Sequence, residues 1–143
     1  MTKLYQILSE RKKQLVYFPL LFYWLLLFVA TTLPSKALPS LGVSDKIEHF
    51  FAYMVLAFLV LLTFHFQEKI ESFHIYPVLS TIAIVSIYGL LDELHQNLIP
   101  GRDPEVYDWV ANFLGAVVGV IILNYLFLKP LKEKNKRDRI KEK

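Results

Sequence analysis

From Leu15 to Leu33 the chain runs for nineteen residues without a formally charged side chain, rich in Leu, Phe, Tyr and Val. At about 1.5 Å per helical residue such a run reaches across roughly 30 Å of hydrocarbon. It is longer than the apolar region of about 7–15 residues in a secretory signal. A cleaved leader, with Arg11, Lys12 and Lys13 before the run and Ser35-Lys36-Ala37 after it, is therefore the weaker reading. Three further apolar stretches follow. The second spans about 46–66, with Glu48 and His49 in its first turn; the third opens at Pro77 and ends near Gln96; the fourth covers about 108–128. The polar connector 67–76 and the loop 97–107, with Pro100, Gly101 and Pro104, separate them.

The expected fold is all-α, a polytopic bundle of four transmembrane helices. A soluble four-helix bundle would need a polar stripe on each helix for water, and these segments are apolar on all sides for most of their length. The organisation is a basic amino-terminal segment (1–14), the membrane domain (15–128) and a basic tail (129–143). Four spans in 143 residues leave no room for a soluble domain. With no cysteine, disulfides and thiolate chemistry are excluded.

Charge sets the orientation. The formal net charge of +3 divides into 12 Lys/Arg against 4 Asp/Glu at the two ends, and 4 against 9 between them. Lys and Arg concentrate on the cytoplasmic flanks of membrane helices. Placing both termini and the 67–76 connector in the cytoplasm gathers 13 basic residues there and leaves Lys36, Lys46 and Arg102 outside. The tail is explained by topology and lacks interleaved aromatics, so nucleic acid is excluded as a partner; contact of the tail with anionic lipid is the lesser alternative. The bilayer is the expected partner, the bacterial cytoplasmic membrane the expected location.

In this orientation the polar residues of the spans collect on the outer side. Asp45, His49 and Tyr53 fall at i, i+4 and i+8 on one helical face. Tyr88, Asp92 and Gln96 repeat that spacing in the third span, with Glu93 and His95 beside them, and Asp108 and Asn112 are one turn apart in the fourth. Intramembrane polar groups face the protein interior or a wet cavity, and they pair. Asp45 and Asp108 suit helix N-termini; Glu93 and His95, at a helix C-terminus, need another partner, and Arg102 is expected to serve, or to pair with Asp103, Glu105 or Asp108. Gly115 and Gly119 form a Gly-x-x-x-Gly pattern for close helix packing, within the monomer in preference to a homo-oligomer, which nothing else supports.

These residues resemble the VanZ-like family of membrane proteins, named for an accessory teicoplanin-resistance protein. The resemblance covers about 44–119: Asp45-Lys46, His49-Phe50, Tyr53, Tyr88-Gly89, Asp92-Glu93-Leu94-His95-Gln96, Pro100-Gly101-Arg102, Asp108, Asn112, Gly115 and Gly119. It implies a role in glycopeptide resistance without the altered peptidoglycan precursor route.

Three functions compete. The leading one is an outer-face pocket, lined by Asp45, His49, Tyr53, Asp92, Glu93, Gln96, Arg102, Asp108 and Asn112, that recognises a cell-envelope or lipid-linked ligand, with Arg102 on an anionic group. The second is a hydrolase or transferase acting on a lipid headgroup, with Glu93 or His95 as general base and Asp92 or Asp45 orienting a histidine. The third is a purely structural polar network. No cofactor and no metal is expected: the chain lacks a Gly-x-Ser-x-Gly elbow, a Gly-rich phosphate loop and a His-Glu-x-x-His pair. A proton or solute path is disfavoured, because the inner halves of the spans offer only scattered Thr63, His65, Ser80 and Ser86.

The absence of native cysteine makes the topology directly testable. In intact cells, Val43→Cys is expected to react with a membrane-impermeant maleimide, whereas Asn135→Cys reacts only after permeabilisation; the reverse pattern would invert the orientation.

Overall fold

The computed structural model describes residues 3–34, 42–103 and 105–130 together with Glu133, Lys134, Arg137 and Ile140. Among these there are helices and no strands. The Ser35-Lys36-Ala37 site, Pro104 and most of the basic tail lie outside the described residues.

Four helices are long and apolar enough to cross a membrane: α2 (Lys13–Thr32), α3 (Asp45–Phe66), α5 (Pro77–Gln96) and α6 (Val106–Leu128), of 20, 22, 20 and 23 residues. Two shorter ones accompany them. The amino-terminal segment, read from sequence only as a basic tail, contains α1 (Lys3–Glu10). Its Tyr5 packs on His65 and Phe66 at the end of α3, burying an aromatic ring that would otherwise be wet. The connector 67–76, read as irregular, contains the single-turn α4 (Glu71–Ile75). Phe73 of α4 stacks on Phe64, ring centroids 4.4 Å apart, and this apolar contact holds the turn in place.

Helix α3 is central. It packs most extensively against α6, then α5, and α2 leans on α3 and α5 from outside. Tyr23 donates a hydrogen bond to the Ala52 carbonyl (2.9 Å), and Trp24 meets Tyr88 edge to face. The first turn of α2, Lys13–Tyr17, is π-helical. Pro19 offers no N–H to the Leu15 carbonyl and its ring crowds that group, so a widened turn relieves both.

The α3–α6 crossing is set by glycine. A Cβ on Gly115 would run into the Phe50 carbonyl, and one on Gly119 into that of Met54. The small-residue pattern thus operates inside the chain, letting two backbones touch.

The distribution of polarity is inverted relative to a water-soluble protein. Phe18, Leu21, Phe22, Leu25, Ile87 and Leu114 point outward, while Asn112, Thr81, Asp108, Gln96, Asp92, Glu93 and His49 are buried. Outward apolar side chains on all four long helices are what a hydrocarbon solvent selects, since no hydrophobic gain follows from hiding them. The chain is accordingly a multi-pass membrane protein. The half of the bundle near the termini, the terminal end, is filled by residues such as Leu56, Val60, Leu61, Val85, Val120 and Leu123. The opposite, distal end carries the polar groups.

Overpacking at the glycine contact should be costly. Gly115→Val is expected to destabilise the detergent-solubilised protein by about 1–3 kcal/mol, read from thermal unfolding, whereas Leu114→Val on the half-exposed neighbouring face stays close to the parent.

Candidate functional site

The site is assembled at the distal end from the first two turns of α3, the last two of α5, the first two of α6 and the turn between α5 and α6. Ser44 precedes α3, whose first turn carries Asp45 and Glu48; Asp108 lies in the first turn of α6. These carboxylates face the positive ends of helix dipoles. Asp92 and Glu93, at the negative end of α5, are held instead by side chains from the neighbouring helices.

Asn112, fully buried, joins three helices. Its Oδ1 lies 3.0 Å from His49 Nδ1, and its Nδ2 donates to Glu93 Oε1 at 3.3 Å. An amide oxygen only accepts, so Nδ1 of His49 carries the proton. Glu93 Oε1 is also 3.5 Å from that nitrogen. His49 Nε2 is turned the other way, 3.7 Å from Asp45 Oδ1. A second pair lies alongside: Tyr53 donates to Asp92 Oδ2 at 2.9 Å, and Gln96 Nε2 reaches the same oxygen at 3.5 Å. At the rim, Lys46 Nζ donates to Glu105 Oε2 (2.7 Å) and stands 3.2 Å from Asp108 Oδ1.

Gly89, quoted above only within the resemblance, has a structural function in this network. A Cβ there would come within 3.1 Å of the Tyr53 ring and 3.3 Å of Asn112 Cβ. Its bare backbone lets both side chains reach α5, one turn before Asp92 and Glu93. The signal available in sequence was its position one turn from a pair of acids.

Two expected roles are corrected. Arg102 reaches neither Glu93 nor His95. Ile99 to Arg102 form a tight turn, with Pro100 at its second position, Gly101 at φ 78° and the Arg102 N–H bonded to the Ile99 carbonyl (3.1 Å). The guanidinium then donates to the carbonyls of Ala30 (2.9 Å) and Leu33 (3.1 Å) at the end of α2. A cation there satisfies orphan carbonyls and meets the negative dipole end. His95 likewise stays apart from the cluster, stacking on Phe28 of α2 with centroids 5.7 Å apart.

What remains open is a cavity of about 110 Å³ between α2, α3, α5 and the 99–102 turn, lined by Asp45, Glu48, His49, Tyr53, Asp92 and Gln96, with Arg102 and Thr31 at its edge and Leu27, Ala30 and Ala52 as its apolar wall. Glu93 faces away, toward a groove of about 290 Å³ between α5 and α6 that also contains Trp109 and Glu105. His49 and His95 do not share a metal site; the residues whose ligand atoms converge are Asp45, His49 and Asp108, within 4.8 Å of one another. Lys46 already supplies positive charge at that corner.

Comparison with known proteins places these residues in context. The family model described as VanZ/LLP1 matches residues 4–128, which takes in every helix of the bundle and the whole polar network. No curated protein and no solved structure matches the chain.

The Tyr53–Asp92 pair should couple energetically. In a double-mutant cycle with Tyr53→Phe and Asp92→Asn, the unfolding free energies in detergent are expected to be non-additive by about 0.5–2 kcal/mol, the range for buried hydrogen bonds between membrane helices.

Proposed function

The chain belongs to the VanZ/LLP1 family of membrane proteins, and from that premise we propose that it holds the amine- or hydroxyl-bearing tip of a lipid-linked component of the bacterial cell envelope in its distal cavity. The observation that carries this reading is the charge of the lining. Asp45, Glu48 and Asp92 contribute three carboxylates, and the only guanidinium at the edge, Arg102, is bonded to backbone carbonyls. A cavity so lined attracts cations and hydroxyl donors and repels phosphate. The ligand class therefore keeps the amine or hydroxyls that carboxylates take and drops the anionic group expected on Arg102.

Size supports the same reading. Pockets for whole drug-sized ligands run to about 300–1,000 Å³, and this one is about 110 Å³. A glycopeptide such as teicoplanin does not fit, so a contribution to teicoplanin resistance would come through the envelope component held, not through the drug. With the distal end facing outward, that component belongs to the outer leaflet of the cytoplasmic membrane.

One observation favours a second reading, acid–base chemistry on the bound headgroup. His49 Nδ1 is anchored by Asn112, leaving Nε2 on the cavity side next to Asp45. That is the arrangement of an oriented general base, and it moves the role from Glu93 or His95 to His49. Release of headgroup from a lipid substrate, abolished by His49→Gln while lipid binding persists, is the outcome that would select this reading.

Binding is measured on the full-length protein in detergent with phosphatidylethanolamine and phosphatidylcholine as probes. The parent is expected to prefer the primary amine over the bulkier trimethylated one. Asp92→Asn should weaken amine-lipid binding about 10–100-fold, the value of a hydrogen bond to a charged group. Ala52→Leu, which fills the cavity and keeps every carboxylate, should remove the preference and the teicoplanin tolerance of expressing cells. Equal binding of both lipids by the parent, or full function of Ala52→Leu, overturns the proposal.

A further inference from the structure

A groove larger than the distal cavity lies at the other end of the bundle, away from the polar network. A groove of about 830 Å³ opens between the start of α2, the end of α3 and the α3–α4 connector. Its apolar walls are Tyr17, Phe18 and Leu21 on one side and Phe64 and Phe73 on the other. Phe18 and Leu21 are 63% and 67% exposed, and they lie in the first three turns of a helix long and apolar enough to cross a membrane. The polar rim is basic: Lys12, Lys13 and Lys69, with Glu68 as its only acid.

Of the rim charges Lys12 is engaged, its Nζ donating to the Phe66 carbonyl at 3.3 Å. Glu68 stands 3.6 Å from Lys12 and is itself highly exposed. Among the described residues, neither Lys13 nor Lys69 forms an ion pair, and both are exposed. The backbone around them is held in place. The π-helical turn Lys13–Tyr17 lies on the groove, and such turns recur at functional sites. Gln67 clamps the connector by donating to the Ile70 carbonyl and accepting from its N–H, both at 2.9 Å, which fixes the loop that carries Lys69. Thr63 also lines the groove.

We propose that this groove is a binding site for an anionic phospholipid of the leaflet that faces the two termini. The phosphate and its net negative headgroup lie between the ammonium groups of Lys13 and Lys69, with Lys12 alongside. One acyl chain follows Phe18 and Leu21 along α2 and rests against the stacked Phe64–Phe73 pair. An apolar groove whose rim carries Lys13 and Lys69 without an ion pair among the described residues selects a molecule that is anionic at one end and hydrocarbon at the other. A free phosphate ion would leave the aromatic floor uncovered, and a zwitterionic lipid would place its own ammonium against the lysines. The site is independent of the distal cavity in both position and charge.

Lipid binding to the full-length detergent-solubilised protein is measured by native mass spectrometry, with phosphatidylglycerol and phosphatidylcholine offered in competition. The parent is expected to retain phosphatidylglycerol in preference. The double variant Lys13→Ala/Lys69→Ala should lose that preference by about tenfold or more, since each basic residue near an anionic surface contributes a several-fold gain. Lys134→Ala/Arg137→Ala, which removes the same charge from the tail, should keep it. Phe18→Ser, which leaves the rim intact, should shorten lipid retention if the chain lies where stated. Three results would overturn the proposal: no preference in the parent, equal loss in the tail variant, or displacement of the lipid by millimolar inorganic phosphate. Loss of phosphatidylethanolamine binding in Asp92→Asn leaves this experiment unchanged, so the two sites are judged separately.

Discussion

Helices α3 and α6 touch backbone to backbone where Gly115 and Gly119 face Phe50 and Met54, and the distal end depends on that contact. One turn before Gly115 lies Asn112, and one residue before Phe50 lies His49. Bringing the two backbones together places the amide against the imidazole at 3.0 Å. Gly89 does the same for α5, where a side chain would hold off both Tyr53 and Asn112. In a solvent that offers no hydrogen bonds, polar groups brought this close satisfy one another. Close packing and polar pairing are therefore one arrangement: without the glycines, Asn112, His49 and Glu93 would be buried with unmade bonds.

Electrostatics then divides the molecule into two unlike ends. At the distal end, among the described residues, the acids outnumber the cations, and Lys46 is engaged by Glu105 and Asp108 and Arg102 by the carbonyls of α2. At the terminal end Lys13 and Lys69, beside an aromatic groove, form no ion pair among the described residues. Between them the core is mostly Leu, Val, Ala and Phe. The two proposed sites thus differ in the charge of their linings, and a mostly apolar core lies between them.

Much of this was legible in the residues. Runs of apolar side chains mark all four long helices, because a bilayer requires about 20 such residues per crossing. The i, i+4 spacing of Asp45, His49 and Tyr53, and of Tyr88, Asp92 and Gln96, places them on single faces. Helix α1 was missed because its amphipathic pattern is only eight residues long and ends in a basic cluster; α4 was missed because a single turn has too few residues for periodicity to register. Arg102 was misassigned for a different reason. Side-chain acids are visible in a sequence, whereas the unpaired carbonyls at the end of α2 become partners only when the 99–102 turn folds over them.

By itself the sequence determined the four apolar spans and the span that carries each polar residue of the distal network, which follow from composition and from a periodicity local to each helix, and its motifs carried the family resemblance. The tertiary structure decided which polar group meets which. Asp92 and Glu93 are adjacent and about 100° apart around α5, so one turns toward Tyr53 and the cavity while the other turns toward Asn112 and α6. That choice depends on the rotation of α5 about its own axis, which goes with the close approach of Tyr53 and Asn112 to Gly89 and the Trp109 hydrogen bond to the Ser86 carbonyl. A helical repeat specifies a face; the partner across it depends on how closely, and at what angle, another helix can approach.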